Sequence, residues 1–140
     1  MKKIKNKSNI KAWLLKAEDD LAFAKAAFKE TDFNDHICFL AQQSVEKYLK
    51  AVIIKTKGNL QQKEKTHNLK YLAEICQKFD LDLSDFEKEL RLLSEVYIPA
   101  RYPAGEYLKF KREDAKKSIE IAEEIIRFIK ENIDFSVYLI

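Results

Sequence analysis

The chain has 140 residues, a length typical of a single domain. Hydrophobic residues make up 46% and charged residues 35%, which supplies both an apolar core and a polar surface. There are only two glycines and two prolines. Because sandwiches, barrels and glycine-rich phosphate loops need many more turn residues, this composition argues against them and predicts an all-α fold.

The net charge of +3 comes from a short basic segment. Four lysines fall within the first seven residues, whereas residues 8–140 contain 22 basic and 23 acidic side chains. A near-neutral body argues against general nucleic-acid binding, including general DNA binding, which needs a basic surface. We interpret residues 1–8 as a basic N-terminal tail, residues 9–133 as a helical bundle, and residues 134–140 as a C-terminal segment.

We expect no metal, no cofactor and no disulfide. Cys38 and Cys76 lie far apart among apolar neighbours, which favours buried, reduced thiols. His36 is two residues from Cys38 and would lie on a different helix face, and further metal ligands are not evident. No stretch approaches the roughly 20 apolar residues of a membrane helix, so we expect a cytoplasmic protein with no membrane partner.

Apolar spacing predicts an up-and-down bundle of four long helices and one shorter helix. The first helix spans about residues 9–30 and the second spans about residues 34–57, ending at Gly58 as a natural C-terminal cap. The short connection between them makes the two helices antiparallel. Apolar residues cover more than half of the second helix, which predicts that it lies at the centre of the bundle.

The third and fourth helices have recognisable start signals. After a polar loop over residues 58–65, Thr66 is a candidate N-cap for a short third helix. Ser84 and Glu87 match a capping box at the start of the fourth helix, which we expect to stop at Pro99. A fifth helix follows over about residues 111–132, where isoleucines and alanines keep helical spacing.

A narrow polar face on the second helix is the first candidate site. Its members are His36, Phe39, Gln43, Glu46, Lys47 and Lys50. Antiparallel packing would bring Asp20 of the first helix level with this face, where a carboxylate could pair with a lysine. Two interpretations stay open: a solvated face with surface ion pairs worth about 0–1 kcal/mol each, or an edge that contacts an anion or a nucleotide.

Two short motifs supply the remaining candidates. In the segment Ala100–Pro103, Arg101 could grip a phosphate while Tyr102 stacks on a base. Alternatively, Arg101 caps the fourth helix and Tyr102 fills a gap in the core. His67, beside Thr66, is either a structural residue at a helix start or a group that contacts an anion or transfers a proton. No known catalytic motif is present, which favours a binding or partner module.

Four motifs, in this order and spacing, resemble the HEPN family: WLLKAEDDL at residues 13–21, CFLAQQSVEKYLKA at 38–51, THNL at 66–69 and ARYP at 100–103. The resemblance covers about residues 9–133. It implies an α-helical bundle that is commonly dimeric and binds nucleotides. It also implies partnership with a separate minimal nucleotidyltransferase, frequently as a toxin–antitoxin pair. The family's second-helix signature falls on Gln42, Gln43, Glu46, Lys47 and Lys50, and its later motifs fall on His67, Arg101, Tyr102 and Pro103.

One departure bears on enzymatic activity. Ribonucleases of the wider superfamily carry an arginine followed by four to six residues and a histidine. Counted from Arg101, the candidate positions hold Glu106, Tyr107 and Leu108. The general acid or base of metal-free RNA cleavage is therefore missing, so the resemblance indicates the non-nucleolytic branch.

The resulting hypothesis is a homodimeric, nucleotide-binding or regulatory partner of a minimal nucleotidyltransferase. Its candidate nucleotide- or phosphate-binding residues are Lys47, Lys50, His67, Arg101 and Tyr102, supported by Asp20, Gln43, Glu46 and Pro103. Two alternatives remain: a metal-independent ribonuclease toxin with an altered site, and a non-catalytic dimerisation module in which every polar motif serves the fold.

Overall fold

The structure, a computed structural model, describes the backbone of residues 7–101 and 110–139 and the side chains of residues 7–95 and 110–139. It contains five α-helices: α1 Lys7–Glu30, α2 Asn34–Lys57, α3 Leu69–Gln77, α4 Glu87–Arg101 and α5 Arg112–Asn132. Over these two stretches of chain there is no strand. The predicted all-α fold, with four long helices and one shorter one, is confirmed.

Helix α2 is the centre of the bundle, as its wide apolar surface predicts. It packs against each of the other four α-helices. Fourteen of its 24 residues are buried, including three with polar amide or charged side chains, Gln42, Glu46 and Lys50. At its end, Gly58 adopts φ 97°, a left-handed conformation open to glycine at little cost, and its N–H donates to Ile54.

Helix α3 begins later than the sequence predicts. Its N-cap is Asn68 rather than Thr66, since the Asn68 side chain accepts the Tyr71 backbone N–H at 3.2 Å. Thr66 Oγ1 accepts the N–H of Asn68 instead and so forms a turn that leads into the cap. Both side chains can cap a helix, and the one nearer the apolar run takes the position.

Both ends of α4 also differ from the prediction. Residues Ser84–Phe86 form a 3₁₀ turn and the α-helix starts only at Glu87, so the capping-box prediction is wrong. The Ser84 N–H is taken by Asp82 at 2.9 Å. At the other end the helix continues two residues beyond Pro99, because proline removes one backbone donor but holds φ near the helical value.

The C-terminal segment closes one end of the bundle. Phe135 and Tyr138 are buried, and the 3₁₀ turn Ser136–Tyr138 contacts α1. The Tyr48 and Phe135 rings meet edge to face, with centroids 6.2 Å apart. The segment therefore packs on its own chain. In the ranges that the structure describes, no helix has the length and apolarity needed to cross a membrane.

Candidate functional site

A polar cluster interrupts the apolar surface of α2. Gln42, Glu46 and Lys50 are spaced four residues apart, so successive turns place them on one side of the helix. All three are buried. Gln43 on the same helix and His67 in the loop before α3 complete the group, which we call the Glu46 cluster.

The carboxylate of Glu46 is the hub of this cluster. Its Oε1 lies 2.8 Å from His67 Nδ1 and accepts from Gln42 Nε2 and Gln43 Nε2, each at 3.3 Å. Its Oε2 accepts from Lys50 Nζ at 2.9 Å. A buried carboxylate is costly unless it is paired and hydrogen-bonded, and here both oxygens are satisfied by side chains from two parts of the chain.

His67 is held at the rim of the cluster by two contacts. Glu46 binds its ring, and Gln42 Nε2 donates to its backbone carbonyl at 3.2 Å. The His67 side chain nevertheless remains 47% exposed. The ring is thus anchored from α2 on one side while much of its surface stays in contact with solvent.

Helix α1 contributes to the same region. Lys50 Nζ lies 5.6 Å from the centre of the Trp13 ring, a cation–π distance. Two turns further along α1, Asp20 forms an ion pair with Lys47 across the α1–α2 interface. Each lysine proposed from the sequence is therefore paired with a carboxylate, Lys47 with Asp20 and Lys50 with Glu46.

The interpretation of this α2 face as merely solvated is wrong for Glu46 and Lys50. Their side chains are only 3% and 7% exposed, because α1 and the loop before α3 cover them. His36 is exposed, as a solvated face requires, and Phe39 is half-buried. The sequence pattern places charged residues on a common face, but it does not reveal which of them a neighbouring element covers.

Sequence reasoning missed the contact that joins two of its candidates. It treated Glu46 and His67 as separate motifs, and it assigned no role to Gln42 beyond the family signature. The available signal is the four-residue spacing of residues 42, 46 and 50, which extends the polar face to Gln42, a position that lies among apolar residues on the helix surface. The pairing with His67 has no local signal, because 21 residues separate it from Glu46.

The Arg-Tyr-Pro candidates fall mainly outside the described residues. Arg101 is the last residue of α4, and its side chain is outside the description. Tyr102 and Pro103 lie outside it entirely, as do the positions 106–108 that decide the ribonuclease motif.

A second polar group, Glu18, joins three elements at the C-terminal end of the bundle. Its carboxylate accepts from Tyr48 and pairs with Lys130 Nζ at 2.7 Å. Partial burial raises the pKa of Glu18, but the bonds from Lys130 and Tyr48 outweigh this, so the net pKa is lowered. Burial, and then the bond to Glu18, raises the pKa of the Tyr48 hydroxyl. The group anchors α1 to α2 and α5.

The two cysteines are buried, and neither forms a disulfide within the described residues. Burial raises the pKa of the Cys38 thiol to about 11 and that of Cys76 to about 12, which disfavours the reactive thiolate. Within residues 7–101 and 110–139, no three histidine, cysteine or acidic side chains are grouped in a way that could hold a metal ion.

Comparisons with known proteins give a consistent picture. The HEPN domain family matches residues 10–133. TT1696 from Thermus thermophilus is similar in structure, with a TM-score of 0.72 and 26% identity over 90% of this chain and 99% of that one. ST0689, an archaeal HEPN homologue, gives a TM-score of 0.68 and 25% identity over 88% of this chain and 96% of that one. No curated protein matches the chain.

Proposed function

The chain belongs to the HEPN domain family, and from this premise we propose that it is a cytoplasmic nucleotide-binding protein that regulates, or is regulated by, a separate minimal nucleotidyltransferase. In this proposal the two proteins act as a toxin–antitoxin-like pair. Arg101 binds phosphate groups of the nucleotide, Tyr102 stacks on or shapes the pocket, and His67 forms another part of its edge.

The observation that supports a ligand site is the Glu46 cluster. A helical bundle does not need a buried ion pair for stability, because apolar residues of similar volume are often as stable or more so. Here Glu46 and Lys50 are buried, and their bonds end on a ring that is 47% exposed. A costly buried network that fixes one exposed imidazole is an arrangement suited to recognition.

The two candidate lysines have different roles in this proposal. Lys50 is 7% exposed and bound to Glu46, so it balances the buried carboxylate rather than touching a ligand. Lys47 is 20% exposed and bound to Asp20 near the surface. It can therefore exchange the Asp20 carboxylate for a phosphate with little change in its surroundings.

Calorimetric titration of ATP and other nucleotides tests the proposal. We expect micromolar binding by the wild type and loss of that binding in Arg101→Ala with an unchanged melting temperature. Arg91→Ala is the matched control, because Arg91 is an exposed arginine on the same helix. Equal affinity in the two variants, or no binding of any nucleotide by the wild type, would contradict the nucleotide-binding proposal.

Partnership requires a separate measurement. Co-expressed with a minimal nucleotidyltransferase, the chain is expected to co-elute with it in size-exclusion chromatography. Expression of one of the two proteins alone should slow cell growth, and co-expression of the other should restore it. Intact cellular RNA after induction of this chain would support the regulatory function, and RNA cleavage abolished by Arg101→Ala would favour the ribonuclease alternative.

We also propose that the chain forms a homodimer. Leu15 and Phe23 are 47% and 66% exposed on α1, two helical turns apart, which makes this face a candidate for coverage by a second copy. Light scattering should then give a mass of twice the 16.5 kDa chain. A monomer at micromolar concentration would contradict this part of the proposal.

A further inference from the structure

A cavity of about 550 Å³ lies at the end of the bundle where the C-terminal segment leaves α5. We call it the α5-end cavity, and the lining residues that decide its chemistry are Leu14, Tyr48, Lys130, Glu131, Phe135 and Leu139. The cavities between α3 and α4 and between α4 and α5 are smaller, about 200 and 170 Å³. Sites for small organic molecules usually have about 300–1,000 Å³, so of these three the α5-end cavity has the volume for one.

The floor of the α5-end cavity is apolar and comes from three parts of the chain. Leu14 of α1 is 1% exposed, and the buried Phe135 ring packs edge to face on Tyr48 of α2. Leu139 forms part of the rim and is 52% exposed. Removal of apolar ligand surface from water favours binding. A ligand with an apolar body therefore fits this floor.

The positive charge in the lining is already balanced. Of the described residues that line the cavity, Lys130 alone is cationic. Its Nζ lies 2.7 Å from Glu18 Oε1 and 5.7 Å from the centre of the Tyr48 ring. The Tyr48 hydroxyl donates to the same carboxylate oxygen. An anionic ligand would therefore have to compete with Glu18 for this lysine.

The other charges of the lining are negative. Glu131 is exposed, and among the described residues it forms no ion pair. Hydrogen bonds from the Ser136 side chain and backbone, with a further contribution from the charge of Lys55, lower the pKa of Asp134, so this carboxylate is ionised at neutral pH. The carbonyl groups at the end of α5, near Asn132, add the negative end of the helix dipole, about half an elementary charge. A cationic group is therefore favoured in this part of the cavity.

We propose that the α5-end cavity binds a small organic cation that carries an amino or guanidinium group on an apolar body. The cationic group lies beside Glu131 at the end of α5. The apolar body packs on Leu14, Phe135 and Leu139. The described residues that line the cavity include none of the candidate nucleotide-binding residues, and the negative charge disfavours a phosphate. The inference therefore does not rest on the proposed function.

Three probes with the same apolar body separate the effect of charge from that of size. Phenethylamine, 2-phenylethanol and 3-phenylpropionate carry a cationic, a neutral and an anionic group on one phenylethyl chain. Titration of each into the ¹⁵N-labelled full chain should shift the amide signals of Tyr48 and of residues 131–139. We expect phenethylamine to bind about 2- to 5-fold more tightly than 2-phenylethanol, and 3-phenylpropionate to bind most weakly. Equal affinities for the three probes, tightest binding of the anion, or no shift at these residues would overturn the inference.

Two variants test which side chains hold the ligand. Glu131→Gln removes a charge and keeps the size, so phenethylamine should bind about 2- to 3-fold more weakly while 2-phenylethanol is unaffected. Glu124→Gln, at an exposed glutamate on the same helix, is the matched control and should bind all three probes as the wild type does. Leu139→Ser should weaken all three probes at an unchanged melting temperature. Unchanged phenethylamine affinity in Glu131→Gln, or unchanged affinity for every probe in Leu139→Ser, would contradict the proposed site.

Discussion

Glu46 and Glu64 are two buried glutamates that each pair with a lysine, yet they connect different parts of the molecule. Glu46, on α2, connects to a residue 21 positions away and holds the exposed His67. Glu64, in the loop after α2, pairs with Lys57 seven residues earlier and accepts the Gln61 N–H at 2.8 Å. The Glu64 contacts join the last residue of α2 to the loop that follows it, whereas Glu46 joins the middle of α2 to the loop before α3.

The difference lies in what each pair leaves exposed. Lys57 is 26% exposed and can turn to water, whereas Lys50 is 7% exposed and cannot. The Glu64 pair shapes a 3₁₀ turn, Gln62–Glu64, and its removal would disturb only that loop. The Glu46–Lys50 pair is buried on the central helix, and Glu46 also holds the exposed His67 ring. A buried ion pair that stabilises the fold little is consistent with a role in binding.

The largest expected effect is that of Glu46→Ala. It leaves the buried Lys50 ammonium without its counter-charge and removes an acceptor for Gln42, Gln43 and His67. The free energy of unfolding should therefore fall by about 3–5 kcal/mol. Urea denaturation monitored by circular dichroism measures this loss. The control is Glu124→Ala, at an exposed position on α5, which should change stability by less than about 0.5 kcal/mol. Equal losses in both variants would remove the distinction drawn for Glu46.

Replacing the whole ion pair should separate stability from function. Because a buried pair is often no more stable than apolar residues of similar size, E46M/K50M should recover about 2 kcal/mol or more relative to Glu46→Ala. The double variant should nevertheless bind nucleotide more weakly, since the His67 ring has lost its bond to Glu46. Denaturation and calorimetry on one preparation give both values. A double variant that remains as unstable as Glu46→Ala would indicate that the cluster serves the fold.

Glu64→Ala should cost less, about 1–3 kcal/mol, because Lys57 can be rehydrated. Burial raises the pKa of Glu64, but the bonds from Lys57 and Gln61 outweigh it and the net pKa is lowered. A lowered folded-state pKa means that this contribution is present above the ordinary glutamate range and is lost as pH falls through the folded-state pKa. Denaturation from neutral to acid pH should therefore show less acid destabilisation in Glu64→Gln than in the wild type.

The smallest expected effect is on the pKa of the Cys76 thiol, which depends in part on the charge of Glu64. Burial raises the pKa of this thiol to about 12, and the charge of Glu64 adds to the rise. Glu64→Gln should lower this pKa slightly while leaving the thiol buried. With a thiol-specific chromogenic reagent at mildly alkaline pH, the native protein should react far more slowly than the protein unfolded in guanidinium chloride. Fast reaction of native Cys76 would contradict its placement.

Local patterns in the sequence predicted the architecture well. The apolar stripe of α1, the wide apolar arc of α2 and the glycine at its end are all short-range signals, and the corresponding helices lie where they predict. The predictions that failed concern helix ends: Thr66, Ser84 and Pro99. At each of these positions several neighbouring residues can satisfy the same backbone groups, and the sequence does not say which one does.

By itself, the sequence determined that the chain is an all-α bundle around α2 and that polar residues line one part of that helix. Only the tertiary structure decided that Glu46 and Lys50 are buried and that Glu46 binds His67. Burial depends on which element covers a helix face, and the Glu46–His67 bond joins the middle of α2 to the loop before α3. Helical periodicity determines the direction in which a side chain leaves its helix, but it does not indicate which residue of a distant segment will contact that side chain.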